Sequence, residues 1–598
     1  MADNVRERRN ALLYLFGETW KYSAGNRDKI VWYWLMFIAA NVIAFLCQPL
    51  AMAKIMDVIQ KEGITDANFG LLKWLLVFTL AVELAFWSLH GPARCIERTN
   101  AFKARLNYRK YLLKGVMTLP LEWHNDHHSG DTIDKIGKGT DGLFSFAHGS
   151  FMPISSLAQL IVSLVMLTIF SGSRSLAIAL VMIFVSGFIT VRFDRKMISQ
   201  YEELDHADNK IAESVHDAIS NITTVIILRM EKRVFGTIMR KVEKPYDLFR
   251  RNQQLNEIKW FLTSLCCAVM AAAVLYTHFR QNIGVPKATL VGSTYLLMSY
   301  LGRISDLFFQ FTNLYGDLVR YQSRMMNAEE LALDFKEENF ANHVLPKNWR
   351  QLKVENLCFS HRNGGNGELH LDNVSFSLGR GEHMAVIGPS GGGKTTLLWA
   401  LRDLHRSGSV HLFVDGQGVA EGFGGISRDI ALVPQDPEIF ATTILENITM
   451  GEEYEAELIR HYSNLTCFTE VAEKLPKKFD SSIKEKGVNL SGGEQQRLAL
   501  ARGLLASHDK SIVLLDEPTS SLDAATEMKV YRNIFREFRD KTIVASVHRL
   551  HLLPMFDKIL LFNGGRIIAS GSFADLLANS PEFQELWAQY NTEKKETV

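Results

Sequence analysis

The stretch HMAVIGPSGGGKTTLLWALRDL (His383–Leu404) decides how the C-terminal half of this chain folds. It opens on an apolar run, passes through a glycine-rich turn and closes on a helical pattern. Strand, turn and helix in that order fit the P-loop pattern GxxxxGK[ST]. Gly388, Pro389, Ser390, Gly391, Gly392 and Gly393 let backbone N–H groups close around a phosphate, and the helix N-terminus that follows adds a favourable dipole. Lys394 is expected to reach the β- and γ-phosphates of a nucleotide. The Thr395 hydroxyl is expected to bind Mg²⁺, and Thr396 joins the nucleotide-binding set. The bland alternative, a glycine-rich turn without a ligand, fits poorly with the Lys-Thr pair and both flanking elements.

Downstream, SIVLLDEPTSSLD (Ser511–Asp523) reads as a buried strand that delivers two carboxylates. Asp516 is expected to hold Mg²⁺ directly or through water, and Glu517 to polarise the attacking water. An acidic turn after a core strand would explain the pair alone, but explains it less well beside a P-loop.

LSGGEQQR (Leu490–Arg497) resembles the signature motif of the ATP-binding cassette (ABC) proteins. With the P-loop, DEPTSSLD, Gln435 in VPQDPEIF and His548 in ASVHRL, the resemblance spans nearly the whole C-terminal domain in the family's order. It implies that Gln435 contacts Mg²⁺ and the attacking water, that His548 binds the γ-phosphate, and that Asp523 sits in a loop touching the opposite subunit. It also implies that Ser491, Gly492 and Gly493 cap the γ-phosphate of an ATP held by the partner chain. EKGVNL (Glu485–Leu490) resembles the family's loop that touches the inner helices. Two positions depart from the pattern. Glu494 stands where the family usually has Gln, an extra carboxylate that weakens ATP affinity unless it points away. The aromatic that usually stacks on adenine aligns with His361, with Phe359 two residues earlier.

Short β-branched runs at His383–Gly388, Asp429–Val433, Ser511–Leu515, Thr542–Ser546 and Lys558–Phe562 read as strands alternating with helices. That alternation predicts a mainly parallel sheet covered by helices. A polar stretch over 329–350 reads as a linker between a domain at 1–328 and the cassette at 351–598.

The N-terminal part differs in kind. A bilayer core needs roughly 20 apolar residues per helix, and by that rule about six spans fall near 31–53, 71–92, 150–171, 174–193, 260–279 and 288–312. The expected architecture is an all-α six-helix transmembrane domain followed by an α/β P-loop cassette. The segments after the second and fourth spans are long, helical in pattern and basic, and the others are short with few basic residues. The basic side, and both termini with it, is therefore expected to be cytoplasmic. This layout resembles the exporter-type ABC half-transporters. By that resemblance Leu119–Ile136 and Glu213–Val225 hold two coupling helices. LPLEWH and AISN are similar to short stretches of the cyclic-glucan exporters, a likeness of a few residues that selects no substrate.

Ionisable residues inside spans are costly unless they pair or face a cavity. Glu83 in the second span has no local partner in sequence and is a candidate to meet a polar or cationic substrate. Arg303 and Asp306, one turn apart in the sixth, either line the cavity or pair with each other at i,i+3. His124, His127 and His128 read as a solvated turn in a docking segment rather than as metal ligands.

The net charge of +1 over 598 residues implies no nucleic-acid partner. The six scattered cysteines form no paired CxxC motifs and read as free thiols. The apolar run from near Ile30 is too long for a cleaved signal peptide. The chain holds one P-loop and one signature, and the resemblance implies that these complete two ATP sites only across a dimer, most simply a homodimer and alternatively a heterodimer, in a lipid bilayer such as the bacterial inner membrane. The favoured reading is ATP-driven export of a peptide, glycan, lipid or drug-like amphiphile. The alternatives are an importer of a metal chelate built on the same fold, an ABC ATPase that does not transport, and a nucleotide-sensing regulator.

Overall fold

The computed structural model describes residues 10–283, 290–335, 345–360, 370–405, 409–419, 421–483 and 490–596. The chain divides into two compact units. One comprises Met1–Leu119 and His124–Glu337, the other Pro120–Trp123 and Glu338–Val598.

The first unit is helical. In order it holds α1 (Ala11–Tyr22), α2 (Arg27–Glu62), α3 (Asp66–Met117), α4 (Leu121–Asp126, grouped in part with the second unit), α5 (Ser129–His148), α6 (Phe151–Ser220), α7 (Ile222–Ile227), α8 (Glu231–Glu243), α9 (Tyr246–Gln281) and α10 (Leu290–Ala332). Among the described residues, Arg27–Glu62, Asp66–Met117, Ser129–Ser220 and Glu231–Gln281 are long and apolar enough to cross a membrane. The third of these stretches holds two of the expected spans. Gly172, at φ +79° and ψ 176°, interrupts α6 between them. A left-handed φ of this kind suits a residue without Cβ. From Leu290 onward the expected span at 288–312 falls on α10, which does not reach the same apolarity because Arg303 and Asp306 interrupt its run.

Large apolar side chains face outward along the spans, among them Trp74, Leu80, Leu84 and Phe184. Lipid tails are as apolar as these side chains, so helix association in a bilayer rests on close packing and interhelical hydrogen bonds. Both are present. Leu167, Ala179, Met270, Val274, Leu301 and Ile304 pack α6, α9 and α10 together. Asn41 Nδ2 donates to Ser155 Oγ at 2.9 Å, tying α2 to α6. The buried Lys259 Nζ donates to Asp194 Oδ1 at 2.8 Å, tying α9 to α6. Glu97, fully buried on α3, accepts from Ser150 Oγ at 2.8 Å and from the Phe151 N–H at 2.7 Å, and it is ion-paired with Arg94. This carboxylate fastens α3 to the N-terminus of α6, where the helix dipole favours an anion.

The second unit is α/β. Its strands are β1 (Gln351–Phe359), β2 (Leu371–Gly379), β3 (His383–Ile387), β4 (Ser409–Val414), β5 (Gln417–Gly418), β6 (Ile430–Val433), β7 (Ile512–Asp516), β8 (Thr542–Ser546), β9 (Lys558–Asn563) and β10 (Arg566–Gly571). Its helices are α11 (Lys394–Leu401), α12 (Ile444–Thr449), α13 (Ala456–Leu465), α14 (Thr469–Glu473), α15 (Gly492–Ala506), α16 (Ala524–Glu537), α17 (Phe573–Asn579) and α18 (Pro581–Glu596). The main sheet has the order β10-β9-β3-β8-β7-β6, parallel except at the β9/β10 edge. Every expected strand lies in it within one or two residues. An antiparallel sheet, β2-β1-β4-β5, was not anticipated. Its strands alternate buried and exposed positions, as half-buried strands do. Apolar clusters lie on either side of the parallel sheet, with Ala385, Val513 and Leu515 in one and Met384, Val386 and Leu514 in the other.

Candidate functional site

Parallel strands bring their C-terminal ends to one edge of a sheet, where ligands bind in open α/β folds. Here β3, β8, β7 and β6 are neighbours, and their register aligns four chemically loaded loops. Val386 pairs with Ser546, Ser546 with Asp516, and Val433 with Leu515. Gly388, His548, Glu517 and Gln435 each lie one or two residues beyond these pairs, so the topology gathers them along a single edge.

Gly388 begins the turn at φ +150°, and a Cβ there would lie 2.2 Å from the Phe562 carbonyl oxygen of β9. Gly393 caps α11 at φ +104°. Pro389, Ser390 and Gly391 are exposed at the turn's tip, and Gly392 is buried beneath it. Lys394 is buried, and its ammonium donates to the carbonyls of Gly388 at 2.9 Å and Pro389 at 3.1 Å. Burial lowers the Lys394 pKa against the opposing pull of Glu517 and Asp516. Thr396 follows, half-buried, in the first turn of α11.

The fully buried strand β7 carries Asp516 to the same edge at 2% exposure. Thr395 Oγ1 donates to Asp516 Oδ1 at 3.3 Å. Burial pushes the Asp516 carboxyl above the usual carboxylate range, and the Thr395 hydrogen bond opposes that shift. Glu517 then turns out of the strand at φ +43°, and Gln435 Nε2 donates to its Oε2 at 3.1 Å. His548 is exposed after β8 and shares with Glu517, Ser520 and Arg549 a cleft of about 170 Å³.

Ser491, Gly492 and Gly493 open α15. A reciprocal capping box joins Ser491 to Glu494, whose carboxylate accepts from the Ser491 N–H at 2.8 Å. The departure at Glu494 therefore serves its own helix end. Gly493 lies close to the following loop, with a Cβ there 3.1 Å from the Ser521 carbonyl oxygen. Asp523 caps α16, accepting from the N–H groups of Ala525 and Thr526, and hydrogen bonding from the Thr526 side chain, then from its backbone, holds the carboxyl below the usual range. His361 lies outside the described residues, as do residues 485–489. Phe359 is buried in β1 with its ring stacked on His405 at 4.8 Å.

In the helical unit, one sequence reading needs correction, and for another pair one of two alternatives drops out. Glu83 does have partners, accepting from Gln48 Nε2 at 3.0 Å and from Trp87 Nε1 at 2.9 Å, and all three side chains remain accessible. Arg303 and Asp306 form no ion pair. The guanidinium instead lies over the Phe45 ring at 4.8 Å, where the aromatic face attracts the cation, and Asp306 is exposed. Sequence reasoning also missed Arg549 and Glu527, which brace the loop after Glu517. The HR dipeptide at 548–549 and the acid four residues after Asp523 were their only trace.

Residues 371–520 match the family described as ABC transporter, and residues 31–302 match the ABC transporter transmembrane region. The β-(1→2)glucan export ATP-binding/permease protein of Nitrobacter winogradskyi is 26% identical over 580 residues, covering 94% of this chain and 93% of that protein. The mitochondrial iron-sulfur clusters transporter of Kluyveromyces lactis is 28% identical over 495 residues, covering 79% of this chain and 66% of its own. The ATP-dependent lipid A-core flippase of Dechloromonas aromatica is 25% identical over 587 residues, covering 94% and 96%. The solved structure of a bacterial Atm1-family ABC exporter with ATP bound superposes with a TM-score of 0.83 at 20% identity, covering 95% of this chain and 98% of that one, a likeness of fold.

Proposed function

Since the chain belongs to the ABC transporters, with the family's transmembrane region and its cassette in one polypeptide, we propose that two identical copies clamp two ATP molecules to drive export of a polar or amphipathic substrate. The protein is an integral membrane protein, and it couples ATP hydrolysis to transport as an exporter of this family. The homodimer, the residue roles and the substrate class are our reading.

One observation carries it: the parallel strand ends gather Lys394, the Thr395–Asp516 pair, the Gln435–Glu517 pair and His548. The P-loop backbone binds phosphates, and Lys394 supplies a cation whose burial cost the phosphate charge offsets. The donor set of Thr395 hydroxyl, Asp516 carboxylate and Gln435 carbonyl consists of hard oxygens that fit Mg²⁺. These residues would hold the ion, which would supply neutralisation of charge developing on the phosphates. Glu517 accepts a proton from the attacking water, and the Gln435 amide holds that carboxylate in place. His548 donates to the γ-phosphate. The start of α15 at Ser491, Gly492 and Gly493 meets the γ-phosphate bound by the partner protomer.

The relatives carry different cargoes by name, a glucan, an iron-sulfur cluster and a lipid A core, so the substrate has to be argued from this chain. Glu83 and Trp87 on α3 with Gln48 on α2 offer a carboxylate, an indole and an amide at the meeting of two spans, which supports a polar or cationic group on the substrate. Arg303 and Asp306 are further candidates to line the pathway. Basic segments flanking the spans support a cytoplasmic location for both termini, and we place the protein in a bacterial inner membrane.

The test is ATPase activity of the purified chain in lipid nanodiscs, screened for stimulation by oligosaccharides, lipids, peptides and cationic amphiphiles, and repeated with Glu83→Gln. A protein that is monomeric in lipid, or whose hydrolysis survives Glu517→Gln, contradicts the reading. Stimulation untouched by Glu83→Gln removes Glu83 from the pathway.

A further inference from the structure

We infer that Arg549 is a positioning residue, fastening the His548 loop to the Ser520–Asp523 loop so that one protomer's phosphate sensor and its signature helix move as a single piece. Arg549 Nη1 donates to the Leu522 carbonyl at 2.6 Å and to Glu527 Oε2 at 3.2 Å, and Nη2 donates to the Ser520 carbonyl at 3.1 Å. Glu527 on α16 is buried, and its other oxygen accepts from Thr519 Oγ1 at 2.7 Å. His551 Nε2 lies 3.4 Å from Glu527 Oε2. The guanidinium thus takes two loop carbonyls and a carboxylate with one planar fork, a geometry that a lysine ammonium cannot reproduce.

The same loop is gripped from the other side. Gln496 on α15 donates through Nε2 to Ser520 Oγ at 2.8 Å and accepts from the Ser521 N–H at 2.8 Å. Gly493 packs beside the Ser521 carbonyl, leaving little slack between loop and helix. A continuous chain therefore runs from His548 through Arg549, Ser520–Leu522 and Gln496 to the helix opened by Ser491. One end faces the nucleotide of its own protomer. On the reading above, the other end faces the nucleotide of the partner. A two-way grip of this kind lets a displacement at one ATP reach the other without being absorbed in the loop.

This inference rests on the proposed two-copy clamp, and its test separates the two. The full-length protein carrying Glu517→Gln is loaded with labelled ATP in nanodiscs, desalted rapidly and assayed for retained nucleotide. Arg549→Lys and Arg549→Met are then added to that background. Loss of two carbonyl hydrogen bonds should lower retention about tenfold in both. Lysine keeps the charge facing Glu527 and so guards against a mere folding defect. Affinity for a fluorescent ATP analogue should stay within about twofold, because the Arg549 side chain donates its hydrogen bonds to Ser520, Leu522 and Glu527 and not to the groups assigned to the nucleotide of its own protomer. Retention equal to the parent in the lysine variant overturns the inference, as does a parallel fall in affinity in both variants. A parent that retains no ATP overturns the clamp itself, and this inference with it.

Discussion

The side-chain amide of Gln435 donates to the carboxylate of Glu517 across 3.1 Å. The two residues are 82 positions apart and meet because β6 and β7 pair in parallel with Val433 opposite Leu515. The amide holds in one orientation the group assigned to polarise water. Glu517→Gln is expected to lower the ATPase rate by about 10²–10⁴-fold while ATP still binds, since a general base contributes on that scale. Gln435→Ala should lower the rate less and leave the KM for ATP nearly unchanged. Steady-state kinetics with parallel nucleotide-binding titrations decide it, and a Gln435→Ala variant that acts only through KM counts against the assignment.

Asp516 makes the site sensitive to pH. Its carboxyl is raised by burial. A carboxyl raised in the fold stabilises while protonated, fully so below its unfolded pKa of about 3.9, and that contribution is lost as pH rises through the folded value. Above that folded value the ionised group costs stability, and a divalent cation offsets the cost. The rise in melting temperature on adding Mg²⁺ and ATP should be larger at about pH 7.5 than at about pH 5, with the difference shrinking in Asp516→Asn. Thermal unfolding at both pH values checks this, and an unchanged difference in the Asn variant sinks it.

Lys259 and Asp194 form a buried pair at 2.8 Å, with side chains 5% and 4% exposed. Removing one partner leaves the other charge buried without compensation, at a cost of about 3–5 kcal/mol, whereas replacing both with apolar residues of similar volume is often neutral. Asp194→Leu and Lys259→Met should each destabilise the helical unit, and the double variant should recover most of the loss. Thermal unfolding in detergent completes the double-mutant cycle. Purely additive losses would show that the pair is not coupled.

Glu494 closes a capping box on Ser491. Gln can close the same box, so Glu494→Gln should leave stability and ATPase close to the parent. Glu494→Ala should cost the helix start about 1 kcal/mol, in the range of a lost cap. Cassette unfolding and ATPase rates measure both. Markedly tighter ATP binding in the Gln variant would instead mean that this carboxylate repels phosphate.

Much of the fold and site was legible in the sequence because it is written in local spacing. The P-loop needs one strand, one turn and one helix start, and all lie within His383–Leu404. Asp516 and Glu517 follow their own strand directly. The antiparallel sheet was not legible. Its strands are half-buried, and their pairing joins distant residues such as Lys353 with both Phe413 and Ser377. Neither was the role of Glu97, whose partners Ser150 and Phe151 lie more than fifty positions away.

By itself, the sequence determined the two-part architecture, the phosphate-binding turn and the acids beside it, because apolar run length, glycine placement and strand-end carboxylates act over a few residues of backbone. Only the tertiary structure decided which partners the long side chains found. Glu83 met Gln48 and Trp87, Arg303 turned from Asp306 to the Phe45 ring, and Arg549 closed on Ser520 and Leu522. A charged side chain removed from water takes the best partner within reach, and packing between distant segments sets that reach.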